Sequence, residues 1–345
     1  MLLREQVSLA GYTTFGIGGP ARLFVEATDE ESVVEAVRFA REHEAPLFVL
    51  GGGSNLLVSD AGFPGLVLRI AIKGIEQEGN QFRVGAGEEW DGFVSLAVDG
   101  GFGGIECMAG IPGTVGGTPV QNVGAYGQEV SGTIVSVRVL DVNHLQYADL
   151  PAATCAFSYR RSMFNSSHKG RFIVTRVDYK LRPKAFPVLQ YPDLKRYFQG
   201  REDTPTLAEA AAAVREIRHQ KGMLIVEGEP DCRSAGSFFK NPVVPQAKYD
   251  EVAAGASAAV PSFPAQRGFV KIPAAWLVEQ AGFRKGYALG AAGISSRHTL
   301  ALINRGGATA AEILALRDLI IATVEKRFGI QLEPEPVFVG SPVWR

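Results

Sequence analysis

The chain is poor in the residues that mark several large classes of protein. It has three cysteines, Cys107, Cys155 and Cys232, odd in number and without a C-x-x-C pair, which argues against a disulfide framework and for a reducing compartment. Its five histidines, at 43, 144, 168, 219 and 298, show no HExxH or paired-ligand spacing, so no metal site is expected. There is no uncharged apolar run of about 18 residues, the minimum for a membrane-spanning helix. The first residues, MLLREQVSLAGYTTFG, lack a charged segment followed by an apolar core. A cytoplasmic protein without a membrane partner is expected. Thirty-five basic residues against thirty-six acidic leave a net charge of −1, too little field to hold a polyanion, and nucleic acid is not expected as a partner. The phosphate-loop signature G-x-x-x-x-G-K-[ST] is also missing.

What is abundant is glycine, with 40 residues among 345. Much of it stands in runs at 51–53, 100–104 and 116–117, where backbone rather than side chain must approach something closely. Apolar residues make up 46% and charged residues 21%, an ordinary globular composition. The length exceeds what one core usually supports, so two or three domains are expected.

A capping box from Thr28 to Glu31, followed by Val33, Val34, Val37 and Ala40, predicts a helix over 30–43. Leu47 to Leu50 reads as a strand that stops at Gly51-Gly52-Gly53-Ser54-Asn55, and Leu56 to Ser59 resumes it. Segments 65–72, 81–85, 134–141 and 171–181 also carry strand-like patterns. Prolines 183, 187, 192 and 205 suggest a boundary near 198–205. Capping boxes from Thr206 to Glu209 and from Thr309 to Glu312 open two further helices, the second ending at Gly329. The fold class expected is α+β.

Gly16-Ile17-Gly18-Gly19-Pro20-Ala21 satisfies the dinucleotide fingerprint on paper, but Pro20 leads into the strand-like Leu23-Phe24-Val25-Glu26 where the fingerprint requires a helix, so it is rejected. More informative is Ile111-Pro112-Gly113-Thr114-Val115-Gly116-Gly117-Thr118-Pro119-Val120-Gln121-Asn122-Val123-Gly124-Ala125-Tyr126-Gly127, with five glycines, two prolines and no charge. A plain surface loop of this length would carry charge. This one predicts packing against an apolar, hydrogen-bonding ligand such as a flavin and its pyrophosphate, held by backbone amides.

The chain resembles the UDP-N-acetylenolpyruvoylglucosamine reductase (MurB) family. The resemblance rests on Thr13 to Ile17, Leu50 to Asn55, the glycine loop, Phe157-Ser158-Tyr159-Arg160-Arg161-Ser162-Met163-Phe164, Ala235-Gly236-Ser237-Phe238-Phe239-Lys240-Asn241-Pro242 and Leu332-Glu333-Pro334-Glu335, in the family's order. It implies an FAD-binding domain of the vanillyl-alcohol-oxidase/PCMH type, covering 1–198 with the tail 332–345 and split into lobes near 70. A smaller α+β substrate domain would cover 199–331. It implies non-covalent FAD held by Gly51, Gly52, Gly53, Ser54, Asn55, Ile111, Pro112, Gly113, Thr114, Gly116, Gly117, Gly124, Ala125 and Tyr126. NADPH would be the co-substrate, a UDP-sugar the small-molecule partner, and the protein a monomer.

The reaction so implied delivers a hydride to an enolpyruvyl double bond that bears a carboxylate, and the accumulating negative charge must be stabilised. Arg160 suits this, because a guanidinium forks onto a carboxylate and stays cationic. Ser237 would protonate the carbanionic carbon, with Asn55, Lys271 or Lys285 as relay partners. Glu335 would be the third catalytic residue, with Glu333 as fallback; its neighbour Pro336 is unexpected. Tyr159, Tyr191, Lys221, Asn241 and His298 would contact the substrate. Two other readings are an oxidase of the same flavin fold, which would lack Arg160, Ser237 and Glu335, and a non-enzymatic UDP-sugar binder, which would be colourless.

Overall fold

The computed structural model describes residues 1–340. The fold is α+β, as expected, and the chain divides into two compact units. The first comprises Met1–Val7, Pro20–Gly53 and Phe63–Gln220, and the second Ser8–Gly19, Ser54–Gly62 and the chain from Lys221 onward. This differs from the expected boundaries in three respects, the first being that 8–19 and 54–62 fall in the second unit and not in the first. The crossing point lies at Gln220, after the helix that was expected to open the second domain, and the tail up to Gly340 belongs to the second unit. Its last residues, 341–345, lie outside the described residues. The tail's strand, Val337–Val339, pairs in parallel with Leu56–Val58, in a segment that itself belongs to the second unit.

In the first unit, strands Pro20–Ala27 and Leu47–Leu50 flank Phe63–Ile70 in parallel, with Phe24 and Phe48 both opposite Val67. Parallel neighbours need a crossover, and helix Glu30–Glu42 supplies it. It buries Val33, Ala36, Val37 and Ala40, the stripe that the apolar spacing predicted. Its cap is Asp29 rather than Thr28: the Asp29 carboxylate accepts the Ser32 amide at 2.7 Å. A five-stranded antiparallel sheet follows, ordered Gln146–Pro151, Ile134–Asp141, Phe172–Lys180, Gln81–Gly85, Ile75–Glu78. Alternate residues Phe82, Val84, Val137, Val139, Val177 and Tyr179 point into the core, where helix Trp90–Asp99 adds Trp90 and Phe93.

Glu30 at the helix start is tied to this second sheet. Arg138 donates to it through Nε at 2.6 Å and Nη2 at 2.9 Å, and Thr175 Oγ1 donates at 3.0 Å. Burial raises the pKa of Glu30, but the bonds from Arg138 and Thr175 outweigh it and hold the carboxyl below its ordinary value. Asp141 behaves alike: burial is outweighed by Arg171, His144 and the Asn143 amide, which hold it well below the carboxylate range. A depressed carboxyl contributes stability that is present above its unfolded pKa and lost as pH falls through its folded pKa. The melting temperature is therefore expected to fall as pH drops below about 4.3, the ordinary value for glutamate. Replacing Glu30 by Gln should cost roughly 1 kcal/mol near neutrality, a modest figure because the side chain is 33% exposed, and should flatten that acid limb in a melting series.

The second unit has its own core, built on Phe15, Leu57, Phe238, Phe239, Leu277 and Ile320. Helix Ala310–Phe328 opens with the Thr309 and Glu312 capping box and closes at Gly329, whose φ of 62° is left-handed. The Asp60 carboxylate accepts the Ala310 and Ala311 amides at 2.7 and 3.0 Å, a favourable place for negative charge at a helix start. No described helix is long and apolar enough to cross a membrane.

Candidate active site

The first unit brings the two glycine segments together. A Cβ built on Gly52 would stand 2.5 Å from the Gly113 Cα and 2.8 Å from the Thr114 nitrogen, so backbone meets backbone where no side chain fits. A Cβ on Gly116 would likewise stand 2.6 Å from that of Ala86. Antiparallel bonds to the segment before helix Trp90–Asp99 hold the loop in place: Trp90 N donates to Gly113 O at 3.0 Å and Val115 N to Glu88 O at 2.8 Å. Among the described residues, the amides of Gly52, Gly53, Gly113 and Thr114 make no main-chain hydrogen bond. The Thr114 hydroxyl is buried without a partner among those residues. Unengaged amides and a buried hydroxyl around touching glycines suit a ligand rich in acceptors, such as a dinucleotide. Ser54 and Asn55, which continue the first segment, belong to the second unit.

The loop's entry is clamped at Gly110. Asp91 accepts the Gly110 amide at 2.6 Å, and Arg218 Nε donates to the Gly110 carbonyl at 3.1 Å. Arg215 completes the clamp with a 2.7 Å bond to Asp91. Arg218 is 8% exposed, and burial pushes its pKa down. At the loop's other end, Tyr126 packs edge-on against Tyr191 with ring centroids 5.3 Å apart. Burial pushes the Tyr126 phenol up to about 12, with the Arg218 charge opposing. Tyr126 was expected at the cofactor and Tyr191 at the substrate, whereas Arg218 and Asp91 were not singled out. A charged pair on the buried face of an alanine-rich helix was the signal that could have found the arginine.

Arg160 stands at the corner of a tight turn closed by two bonds between Ser158 and Arg161, at 2.9 and 3.0 Å. Its φ is +54°, the left-handed region that a non-glycine residue occupies at a cost. Nη2 donates to the Gly124 carbonyl at 2.9 Å, and the guanidinium lies 5.3 Å from the centre of the exposed Tyr159 ring. Arg160 is thereby fastened to the glycine loop.

In the second unit, the segments that carry Ser237, Glu335 and Asn55 are joined by hydrogen bonds. The Glu335 amide donates to Phe238 O at 2.8 Å and Lys240 N to Glu333 O at 2.9 Å, so the stretch after Ser237 runs antiparallel to Glu333–Glu335, with Phe239 paired to Pro334. Asn55 ties in from a third segment: its Nδ2 donates to Glu335 O at 3.2 Å and its carbonyl accepts the Val337 amide at 2.9 Å. Both Ser237 and Glu335 are half-buried, while Glu333 is exposed and paired with Lys240. Pro336 is buried directly behind Glu335.

Two expected substrate residues have structural duties. Asn241 Oδ1 accepts the Ala274 amide at 2.9 Å, at the first residue of helix Ala274–Gln280, and His298 Nδ1 accepts the Leu300 amide at 3.0 Å, closing a turn. Lys221 directly follows helix Leu207–Gln220. Among the described residues no group of three or more metal-ligating side chains could hold an ion.

Comparison with known proteins gives a consistent result. Residues 21–143 match the family model described as FAD binding domain, and residues 229–339 match that of the UDP-N-acetylenolpyruvoylglucosamine reductase C-terminal domain. The UDP-N-acetylenolpyruvoylglucosamine reductase of Thermobifida fusca is 44% identical, covering 97% of this chain and 98% of that protein. The enzyme of the same name from Streptomyces avermitilis is 45% identical over 96% and 93%. Among solved structures, the Thermus caldophilus reductase superposes with a TM-score of 0.69 at 28% identity, covering 98% of this chain and all of that one. With such identity over nearly its whole length, the chain belongs to the UDP-N-acetylenolpyruvoylglucosamine reductase family.

Proposed function

We propose that this protein is an FAD-dependent oxidoreductase that uses NADPH to reduce UDP-N-acetylglucosamine enolpyruvate to UDP-N-acetylmuramate, in peptidoglycan precursor synthesis. The observation that carries the reading is the contact of the Gly52 and Gly113 backbones, with the neighbouring amides and the Thr114 hydroxyl unengaged among the described residues. The first unit would hold FAD, through the glycines with Thr114, Ala125 and Tyr126, and the second would hold most of the sugar nucleotide. Bound FAD would supply the redox chemistry, hydride transfer between NADPH and the terminal carbon of the double bond.

The chain's own residues then manage charge and one proton. The Arg160 guanidinium pairs with the enolpyruvyl carboxylate and stabilises the negative charge that builds on the adjoining carbon. Its fixed turn and its bond to Gly124 aim it before the charge develops. Ser237 Oγ–H supplies the proton to that carbon, which completes addition of two hydrogens across the bond, and the Ser237 oxygen then regains a proton from solvent. Glu335, carried by the segment whose amide bonds the Phe238 carbonyl, is the third catalytic residue, with Asn55 holding its backbone. Tyr191 and Lys221 contact the nucleotide diphosphate, and Tyr159 contacts the substrate. Asn241 and His298 also contact the substrate, each with one side-chain atom already engaged in the fold. A monomer in the cytoplasm accords with this reading.

Two measurements test it. The purified protein should show flavin absorption bands, which a UDP-sugar binder would lack. It should also oxidise NADPH only when the enolpyruvyl sugar is present. Rapid oxygen consumption after reduction, with no dependence on the sugar, would identify an oxidase instead.

A further inference from the structure

Asn122 is the one wholly buried amide side chain of the glycine loop, with 0% exposure. Its φ of +46° is left-handed, a conformation that asparagine accepts more readily than other side chains. Nδ2 donates to Glu129 Oε2 at 2.8 Å and to the Ser158 carbonyl at 3.1 Å, while Oδ1 accepts the Ser131 amide at 3.1 Å. A carboxylate and a carbonyl require donors and an amide requires an acceptor, so these partners fix which end of the side chain is which. Both amide hydrogens are used.

Two of the three bonds are local, since Glu129 ends the hairpin in which Gly124-Ala125 pairs with Gln128-Glu129 and Ser131 lies in the turn Val130–Gly132 directly after it. The third is not local. Ser158 is 36 residues away and is the first residue of the Arg160 turn. That turn is strained at Arg160, and the guanidinium reaches back to Gly124, two residues beyond Asn122. The guanidinium is thus located from two sides, by its own bond to Gly124 and by the carbonyl at the turn's base.

We propose that Asn122 is a positioning residue for Arg160, setting the guanidinium against the glycine loop by holding the Ser158 carbonyl. The inference rests on the function proposed above, and its test separates the two. Asn122→Asp keeps the size and the acceptor for Ser131 but turns a carboxylate oxygen toward the Ser158 carbonyl and the Glu129 carboxylate. The double variant Asn122→Asp/Glu129→Gln restores the loop bond, because the glutamine can donate to the new carboxylate, yet removes the side-chain donor to the Ser158 carbonyl and leaves it only the Arg161 amide. If the single variant does not fold, the double variant carries the test.

Anaerobic rapid mixing would follow two steps in each variant, flavin reduction by NADPH and reoxidation by the enolpyruvyl sugar. In both variants reoxidation should slow about 100-fold while reduction stays within roughly threefold, the pattern of a displaced transition-state group. Recovery of reoxidation together with stability in the double variant would overturn the proposal, leaving Asn122 a loop-closing residue. A parallel fall in flavin reduction would also overturn it, by placing the damage at FAD. Failure of the wild-type reduced flavin to respond to the sugar would instead overturn the functional reading itself.

Discussion

Replacing Ser237 by Ala should leave flavin reduction by NADPH within a few-fold of wild type and slow sugar-dependent reoxidation by about 10²–10⁴, the range for loss of a positioned proton donor. The fold gives reason to expect a clean result. The main chain after Ser237 is fixed independently of the hydroxyl: Phe238 N donates to Leu300 O and Phe238 O accepts the Glu335 amide, both at 2.8 Å. Ser237 is half-buried, so its truncation opens no cavity of consequence and should change stability by less than about 0.5 kcal/mol. Stopped-flow absorbance would read both steps. Equal loss in both would mean that the hydroxyl serves the flavin site, and no loss would remove Ser237 from the chemistry.

The second large effect concerns the cofactor. In Gly52→Ala the new methyl would stand 2.5 Å from Gly113 Cα, 2.8 Å from the Gly113 carbonyl carbon and 2.8 Å from the Thr114 nitrogen. All three are backbone atoms and cannot rotate away, so the two segments must part. FAD affinity is expected to drop at least about 100-fold, or near 2.7 kcal/mol, and the protein to purify pale. Gly51→Ala supplies the contrast, since its methyl would meet only the Thr114 hydroxyl at 3.0 Å, and a side-chain oxygen can turn aside. A fluorescence titration with FAD should therefore rank Gly52→Ala well below Gly51→Ala and wild type. Equal affinity in all three would mean that the glycine contact has no part in holding the cofactor.

What could be read from the chain in advance was whatever depends on neighbours in sequence. Thr206 with Glu209 and Thr309 with Glu312 do form their capping boxes, because each needs only a four-residue segment. The strand at 81–85 is observed with those bounds. Asp29 displaced Thr28 as a cap because both residue types can cap, and the choice depends on where the strand before them ends. The interleaving of the units was not legible. Parallel pairing of Val337–Val339 with Leu56–Val58 has no local signature, and it joins segments that sequence reading assigned by distance along the chain.

The same division applies to the site. The glycine segments announced themselves because missing side chains and missing charge are compositional facts. Asn122 and Asp91 did not, since their roles show only in bonds to partners distant in sequence, Ser158 and Gly110, and Arg218 left only the faint mark of an arginine on an alanine-rich helix. The close approach of Ser237, Asn55 and Glu335 was implied by family resemblance alone. Hydrogen bonds join the three segments that carry them.

A crystal structure of the protein with FAD bound would test the central claim most directly. The account predicts FAD oxygens and ring acceptors within hydrogen-bond distance of the Gly52, Gly53, Gly113 and Thr114 amides, with the Thr114 hydroxyl engaged as well. FAD lying elsewhere on the chain, or gripped chiefly by lysine and arginine side chains while those amides face water, would contradict it.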